Sequence, residues 1–224
     1  GNPGNVTIFG ESAGGHSVLS QMVSAGANTG SEGLFHKAIV QSGAYQPAQL
    51  SRFVGEMFYG APFLAATGCE SGEGVAGCLR DKTVEEILAA QGDTWYNPTW
   101  GAGMLPHSIQ FALTNDLMPQ DVPVMTGNNL NEGRLFVALD EIPSILAGSP
   151  APLDNYEDYV ASVGGLLAAD PRGLDTARIA DDYLAQQDEE NPARFSLASA
   201  AIQTAWLFAC DQFDQMDNLA GQNI

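Results

Sequence analysis

Ser12 is the residue of this chain best placed to do covalent chemistry. It stands at the centre of Gly10-Glu11-Ser12-Ala13-Gly14, after the β-prone run Val6-Thr7-Ile8-Phe9 and before an amphipathic stretch through Val18, Leu19 and Met22. A strand, a sharp turn and a helix with one serine at the apex form a nucleophile elbow. Such a turn lifts the hydroxyl clear of the sheet. It also brings the backbone N–H of Ala13, at the helix start, to where the oxyanion of a tetrahedral intermediate would form. Side chains at Gly10 or Gly14 are expected to collide where strand and helix cross. With 25 glycines in 224 residues, G-x-S-x-G can also arise by chance, so the flanking strand and helix patterns carry the assignment.

A serine hydroxyl is a weak nucleophile near neutral pH and needs a base, itself oriented by an acid. Where an elbow of this kind carries a triad, the α/β-hydrolases order it as serine, then Asp or Glu, then histidine, with the acid in a turn beyond a later strand. Glu132 sits in such a turn, in Asn128-Asn129-Leu130-Asn131-Glu132-Gly133, directly after the β-prone Val122–Gly127. Without the elbow it would read as an exposed loop carboxylate. The three histidines, His16, His36 and His107, all precede Glu132, so none fits the order. A glycine-rich loop completing the oxyanion hole is also missing upstream of the elbow. These two absences leave two readings, an inactive relative or an internal piece of a longer enzyme.

Composition narrows the partners. Eight Lys+Arg against 27 Asp+Glu give a net charge of −19, which disfavours nucleic acid and anionic membrane surfaces. No apolar run approaches the length of a membrane span. The acidic clusters Asp181-Asp182 and Asp188-Glu189-Glu190 read as solvated surface. Cys69 and Cys78 bracket a polar, glycine-rich loop whose spacing suits neither a redox pair nor a zinc site. On spacing alone, a loop-closing disulfide and two free thiols stand level, with Cys210 left odd. No metal or organic cofactor is implied, and oligomeric state is not readable.

The elements that must position Ser12 and Glu132 follow in order. Three strands are expected at about 6–9, 38–41 and 122–127. The first two are joined by the helix of about 13–23 into a right-handed, hence parallel, βαβ unit. Val6–Phe9 reads as fully buried. Helices are expected at 53–67, 83–91, 107–117, from about 135, and at 155–167, 174–186 and 192–218, giving a largely helical second half. In the last, Phe195, Ala198, Ile202, Trp206, Ala209 and Phe213 recur at steps of three and four, one core-facing stripe. The segment Trp95–Pro106 is irregular, its aromatics either lining a substrate cleft or anchoring the loop.

Taken together, these segments resemble the type-B carboxylesterases, the family of cholinesterases, related fungal lipases and bacterial para-nitrobenzyl-type esterases. Gly1–Gly15 is similar to that family's active-serine segment, Leu34–Gly43 to its next strand, and Asn131-Glu132-Gly133 with Phe136 to its acid segment. Cys69 with Cys78-Leu79-Arg80 is similar to its disulfide-closed loop, and Phe208-Ala209-Cys210 to a late helix whose cysteine can pair nearer the C-terminus. The resemblance implies a partial α/β-hydrolase fold and a serine carboxylic-ester hydrolase with a small-molecule ester substrate. It also implies that the oxyanion glycines lie before Gly1 and the histidine after Ile224, which makes residues 1–224 the central part of a single domain, inactive alone. It makes Ser12 the nucleophile, Glu132 the acid, Ala13 N–H an oxyanion donor, Ser42 a hydroxyl beside the acid, and Cys69–Cys78 a disulfide. With the cysteine pair it implies a secreted or periplasmic protein. Trp100-Gly101-Ala102-Gly103 departs from the Asp-Gly pair usual in the family's corresponding loop. The alternative is a cholinesterase-like recognition module that has lost catalysis.

Overall fold

The computed structural model describes residues 1–24, 33–43, 49–70, 74–92, 94, 96–168 and 172–221. Three parallel strands, β1 (Thr7–Glu11), β2 (Lys37–Gln41) and β3 (Val124–Gly127), lie side by side in that order. The expected bounds 6–9, 38–41 and 122–127 shift by up to two residues, because pairing continues to Glu11 beside Gln41 and β3 begins after Pro123. Proline cannot donate to a ladder, which confines it to the strand's start.

Helix α1 (Ala13–Met22) packs on the face of the sheet formed by Ile8, Ala38, Val40 and Val124. Val18, Leu19 and Met22 meet Ala38 and Val40 there, joined by Ile109, Leu113 and Val122. The opposite face corrects the reading of Val6–Phe9 as fully buried. Phe9, Ile39 and Met125 lie in one row across the ladder, and Phe9 is 72% and Met125 67% exposed. Thr7 and Glu11 are exposed beside them.

Between β2 and β3 run α2 (Arg52–Gly55), α3 (Ala61–Thr67), α4 (Val75–Arg80), α5 (Val84–Gln91) and α6 (Ile109–Thr114). The single helix expected over 53–67 is interrupted by a π-helical turn, Glu56–Gly60. Helix α5 starts at a capping box in which Thr83 and Glu86 satisfy each other's backbone N–H groups. Cys69 and Cys78 are disulfide-bonded, closing the loop between α3 and α4, while Cys210 is a free, exposed thiol. Partial burial pushes the Cys210 thiol up, with Asp211 and Asp214 adding to the effect against Arg172. Of the irregular aromatic segment, Trp95 lies outside the described residues. Trp100 donates its indole N–H to Gln49 O at 2.8 Å, and Tyr96 packs edge-on against Tyr59 and Phe63. These aromatics anchor the loop.

After β3 the chain is helical: α7 (Gly133–Leu146), α8 (Tyr156–Leu167), α9 (Thr176–Leu184), α10 (Arg194–Thr204) and α11 (Cys210–Gly221). A second core of Tyr159, Val163, Leu167, Ala180, Phe195, Ala198 and Ile202 joins α8, α9 and α10. Tyr159 is fully buried and donates its hydroxyl to Ala180 O at 2.8 Å; burial raises its phenol far above the usual range. The stripe expected along 192–218 holds to Trp206, which packs against the same core, and fails by Phe213. A π-helical turn at Ala205–Ala209 inserts one extra residue, which rotates the following face by about 100°. Beyond it Phe208, Gln212, Gln215 and Leu219 are buried, and Phe213 is 66% exposed.

Replacing both Cys69 and Cys78 by alanine should lower stability by about 2–3 kcal/mol, the loop-closure effect of a bridge this short. Urea unfolding of the two forms under non-reducing conditions measures it, and equal midpoints would contradict it.

Candidate active site

The elbow is held by backbone packed on backbone. At the end of β1, a Cβ on Gly10 would lie 2.3 Å from Gly14 C, and one on Gly43 would lie 2.4 Å from Gly15 C. One on Gly15 would lie 2.9 Å from Gly43 Cα. No side chain fits such gaps, so glycine is the residue that lets α1 start directly over the ends of β1 and β2. Gly14 corrects the sequence expectation: a Cβ there meets nothing within 4 Å. Its backbone is what Gly10 must avoid, while its own side-chain direction points away from the strands. Gly15 takes the part expected of Gly14, against Gly43.

Between these contacts Ser12 adopts φ 54°, ψ −122°, a sparsely populated backbone for a residue with a Cβ. Such a conformation costs on the order of 1–3 kcal/mol and persists only where the surroundings hold it. Here Ser12 N–H donates to Gln41 O at 2.9 Å, and Ser12 O accepts from His16 N–H at 3.0 Å. Ser12 is half-buried at the N-terminus of α1. Ala13, the first residue of that helix, carries one of the N–H groups that helix geometry leaves without an internal partner.

One residue past β2, Ser42 also has positive φ, at 50°. Its N–H donates to Gly127 O at 2.7 Å, which ties the ends of β2 and β3 together. Its buried hydroxyl donates to Glu132 Oε1 at 2.5 Å, and Asn129 N–H donates to the same oxygen at 2.6 Å. Two donors on one oxygen fix the carboxylate in place. The structure thus brings Ser42 and Glu132 into contact and links Ser12 to them through Gln41, the neighbour of Ser42.

Glu132 is held from behind by residues that the sequence reading did not single out. Gly133 N–H donates to Thr204 Oγ1 at 2.9 Å, and that hydroxyl passes its own proton to Ala200 O at 2.8 Å. A Cβ on Gly133 would lie 2.1 Å from Ala200 O, so α7 begins in backbone contact with α10. The glycine directly after Glu132 was the only signal of this in the sequence.

The histidines are engaged elsewhere. His36 Nδ1 accepts from Val6 N–H at 3.1 Å, and His107 stacks on Phe111 at 5.0 Å. His16 is buried in α1. Glu132 has Ser42 and Asn129 as its hydrogen-bond partners among the described residues, and neither is a base. A cavity of about 370 Å³ opens beside the site, lined by polar residues such as Glu11, Gln41 and Ser42 and by apolar Ile39, Val40 and Met125. Among the described residues no three His, Cys, Asp or Glu side chains converge to hold a metal ion.

An open parallel sheet with a serine at the strand-to-helix elbow and a carboxylate past a later strand is an α/β-hydrolase-like architecture. A Geobacillus stearothermophilus carboxylesterase has the same fold, with TM-score 0.71 at 22% identity, over 99% of this chain and 42% of that one. The chain matches the Carboxylesterase family over residues 1–223 and belongs to that family. Among relatives, the pyrethroid hydrolase Ces2e of Rattus norvegicus is 38% identical over 136 residues, covering 59% of this chain and 23% of that protein. The cocaine esterase of Homo sapiens is 41% identical over 135 residues, with the same coverage of 59% and 23%. Lipase 4 of Diutina rugosa is 34% identical over 193 residues, covering 78% of this chain and 34% of that lipase. The chain therefore spans about a quarter to a third of the length of these relatives.

Thr204→Val keeps the shape of the side chain but leaves Gly133 N–H buried without an acceptor. It should cost about 1–3 kcal/mol in chemical unfolding. A change below a few tenths of a kcal/mol would show that the α7–α10 contact does not depend on this hydroxyl.

Proposed function

We propose that residues 1–224 form the central part of one α/β-hydrolase domain in a serine carboxylesterase. The observation that carries the reading is the strained backbone of Ser12, clamped by glycine contacts at the start of α1. Strain of this kind offers packing nothing, but it presents a hydroxyl where a helix N-terminus can stabilise negative charge.

In the reaction, Ser12 Oγ attacks the ester carbonyl carbon while a histidine contributed from outside these residues takes the hydroxyl proton. The carbonyl oxygen becomes an oxyanion, which accepts from Ala13 N–H. Collapse expels the alcohol, which leaves with the proton from the imidazolium and puts the acyl group on Ser12. Water then attacks that acyl carbon, assisted by the same histidine, and releases the carboxylic acid and free Ser12. Glu132, held by Ser42 and Asn129, orients the histidine and stabilises its charged form. Without that base the 224-residue chain alone turns over little ester. The substrate is a small-molecule carboxylic ester, in keeping with relatives named as esterases, lipases and a pyrethroid hydrolase. The Cys69–Cys78 bridge fits a secreted or periplasmic protein, where disulfides persist. A non-catalytic recognition module would have no need of both the Ser12 strain and the hydrogen bonds on Glu132.

The complete protein, expressed from its full reading frame, should hydrolyse a short-chain aryl ester. Ser12→Ala should lower kcat by roughly 10⁴-fold or more with folding intact by circular dichroism. Undiminished turnover in that variant would overturn the assignment.

A further inference from the structure

The helical half contains a second cavity, of about 290 Å³, between α7, α8 and α10. Three carboxylates line it, Asp140, Glu141 and Asp158, against the apolar side chains of Val137 and Leu153. Glu141 is 9% exposed, and its one hydrogen bond comes from Ser196 Oγ to Oε1 at 2.6 Å. Among the described residues no Lys or Arg pairs with Glu141, and its other oxygen has no donor. Ser199, 2% exposed, also lines the cavity, and its hydroxyl has no hydrogen-bond partner among the described residues.

Burying a carboxylate is unfavourable unless a positive charge or a full set of donors compensates it. Here Glu141 Oε2 has no protein donor among the described residues and opens onto a cavity with two further acids at its wall. A metal ion does not supply it, since no group of three ligating side chains converges there among the described residues. The volume suits a small head group with a short apolar stem, at the lower end of the range of ligand pockets.

We propose that this cavity binds an organic monocation, an alkylammonium group whose N–H donors reach Glu141 and Ser199 and whose stem packs on Val137 and Leu153. The ammonium comes either from a free amine or from a lysine side chain of another segment. The site is separate from the Ser12 elbow and does not rest on the esterase reading.

The test is a titration of the complete protein, expressed from its full reading frame, with n-butylammonium chloride, followed by NMR shifts and calorimetry. Salt at 0.15 M, a Debye length of about 8 Å, screens the diffuse attraction of an acidic protein. One-site, saturable binding is expected, with no binding of the neutral isostere 1-butanol. Glu141→Gln, which keeps the shape and can still accept from Ser196, should weaken binding by about tenfold or more. Ser199→Ala should weaken it less, and Asp217→Asn, on α11 outside the cavity, should leave it within about twofold. N-acetyl-lysine methylamide distinguishes the sources. Binding with the same Glu141 dependence assigns the site to a lysine side chain, and binding of the free amine only assigns it to a small molecule. Absence of saturation, or equal losses in Glu141→Gln and Asp217→Asn, would overturn the proposal.

Discussion

Everything at the proposed catalytic site depends on two places where backbone lies directly on backbone, Gly10 against Gly14 and Gly15 against Gly43. A methyl group at Gly10, Gly15 or Gly43 would push α1 off the ends of β1 and β2. The turn at Ser12 is the geometric consequence of that closeness. A five-residue strand ends, a ten-residue helix begins one residue later, and Ser12 absorbs the reversal with a positive φ. The hydrogen bond from Ser12 N–H to Gln41 O then sets the height of the elbow relative to β2, whose next residue supplies the hydroxyl on Glu132.

The acid side is built the same way and by different elements. Glu132 stands at the junction of β3 and α7, and each of its neighbours is fixed by a separate part of the chain. Ser42 comes from the residue just past β2, Asn129 from the turn after β3, and the clamp on Gly133 from Thr204 and Ala200 on α10. The carboxylate thus depends on the helical half, whose second core holds α10 in place through Phe195, Ala198 and Ile202.

Much of this was legible in the sequence because it is local. The elbow, the three parallel strands and most of the helices follow from patterns within twenty residues. What escaped was non-local or degenerate. Thr204 lies 71 residues from Gly133, and nothing in either neighbourhood announces the pair. The π-helical turn at Ala205–Ala209 leaves an ordinary helical composition, so the stripe from Phe195 to Phe213 continued on paper where the structure rotates it. Phe9 read as buried because a parallel strand is apolar on both faces, and only coordinates show that the face it shares with Ile39 and Met125 is uncovered. Gly14 and Gly15 could not be told apart because a one-residue step around a helix turns a side chain by about 100°.

The central claim is that Ser12, and no other serine, is the nucleophile. Treating the complete protein with a fluorophosphonate ester and mapping the adduct by peptide mass spectrometry tests it directly. One phosphonyl group on the peptide containing Ser12, appearing in step with loss of esterase activity, is the predicted result. Full inactivation with the adduct on another residue and Ser12 unmodified would contradict the account.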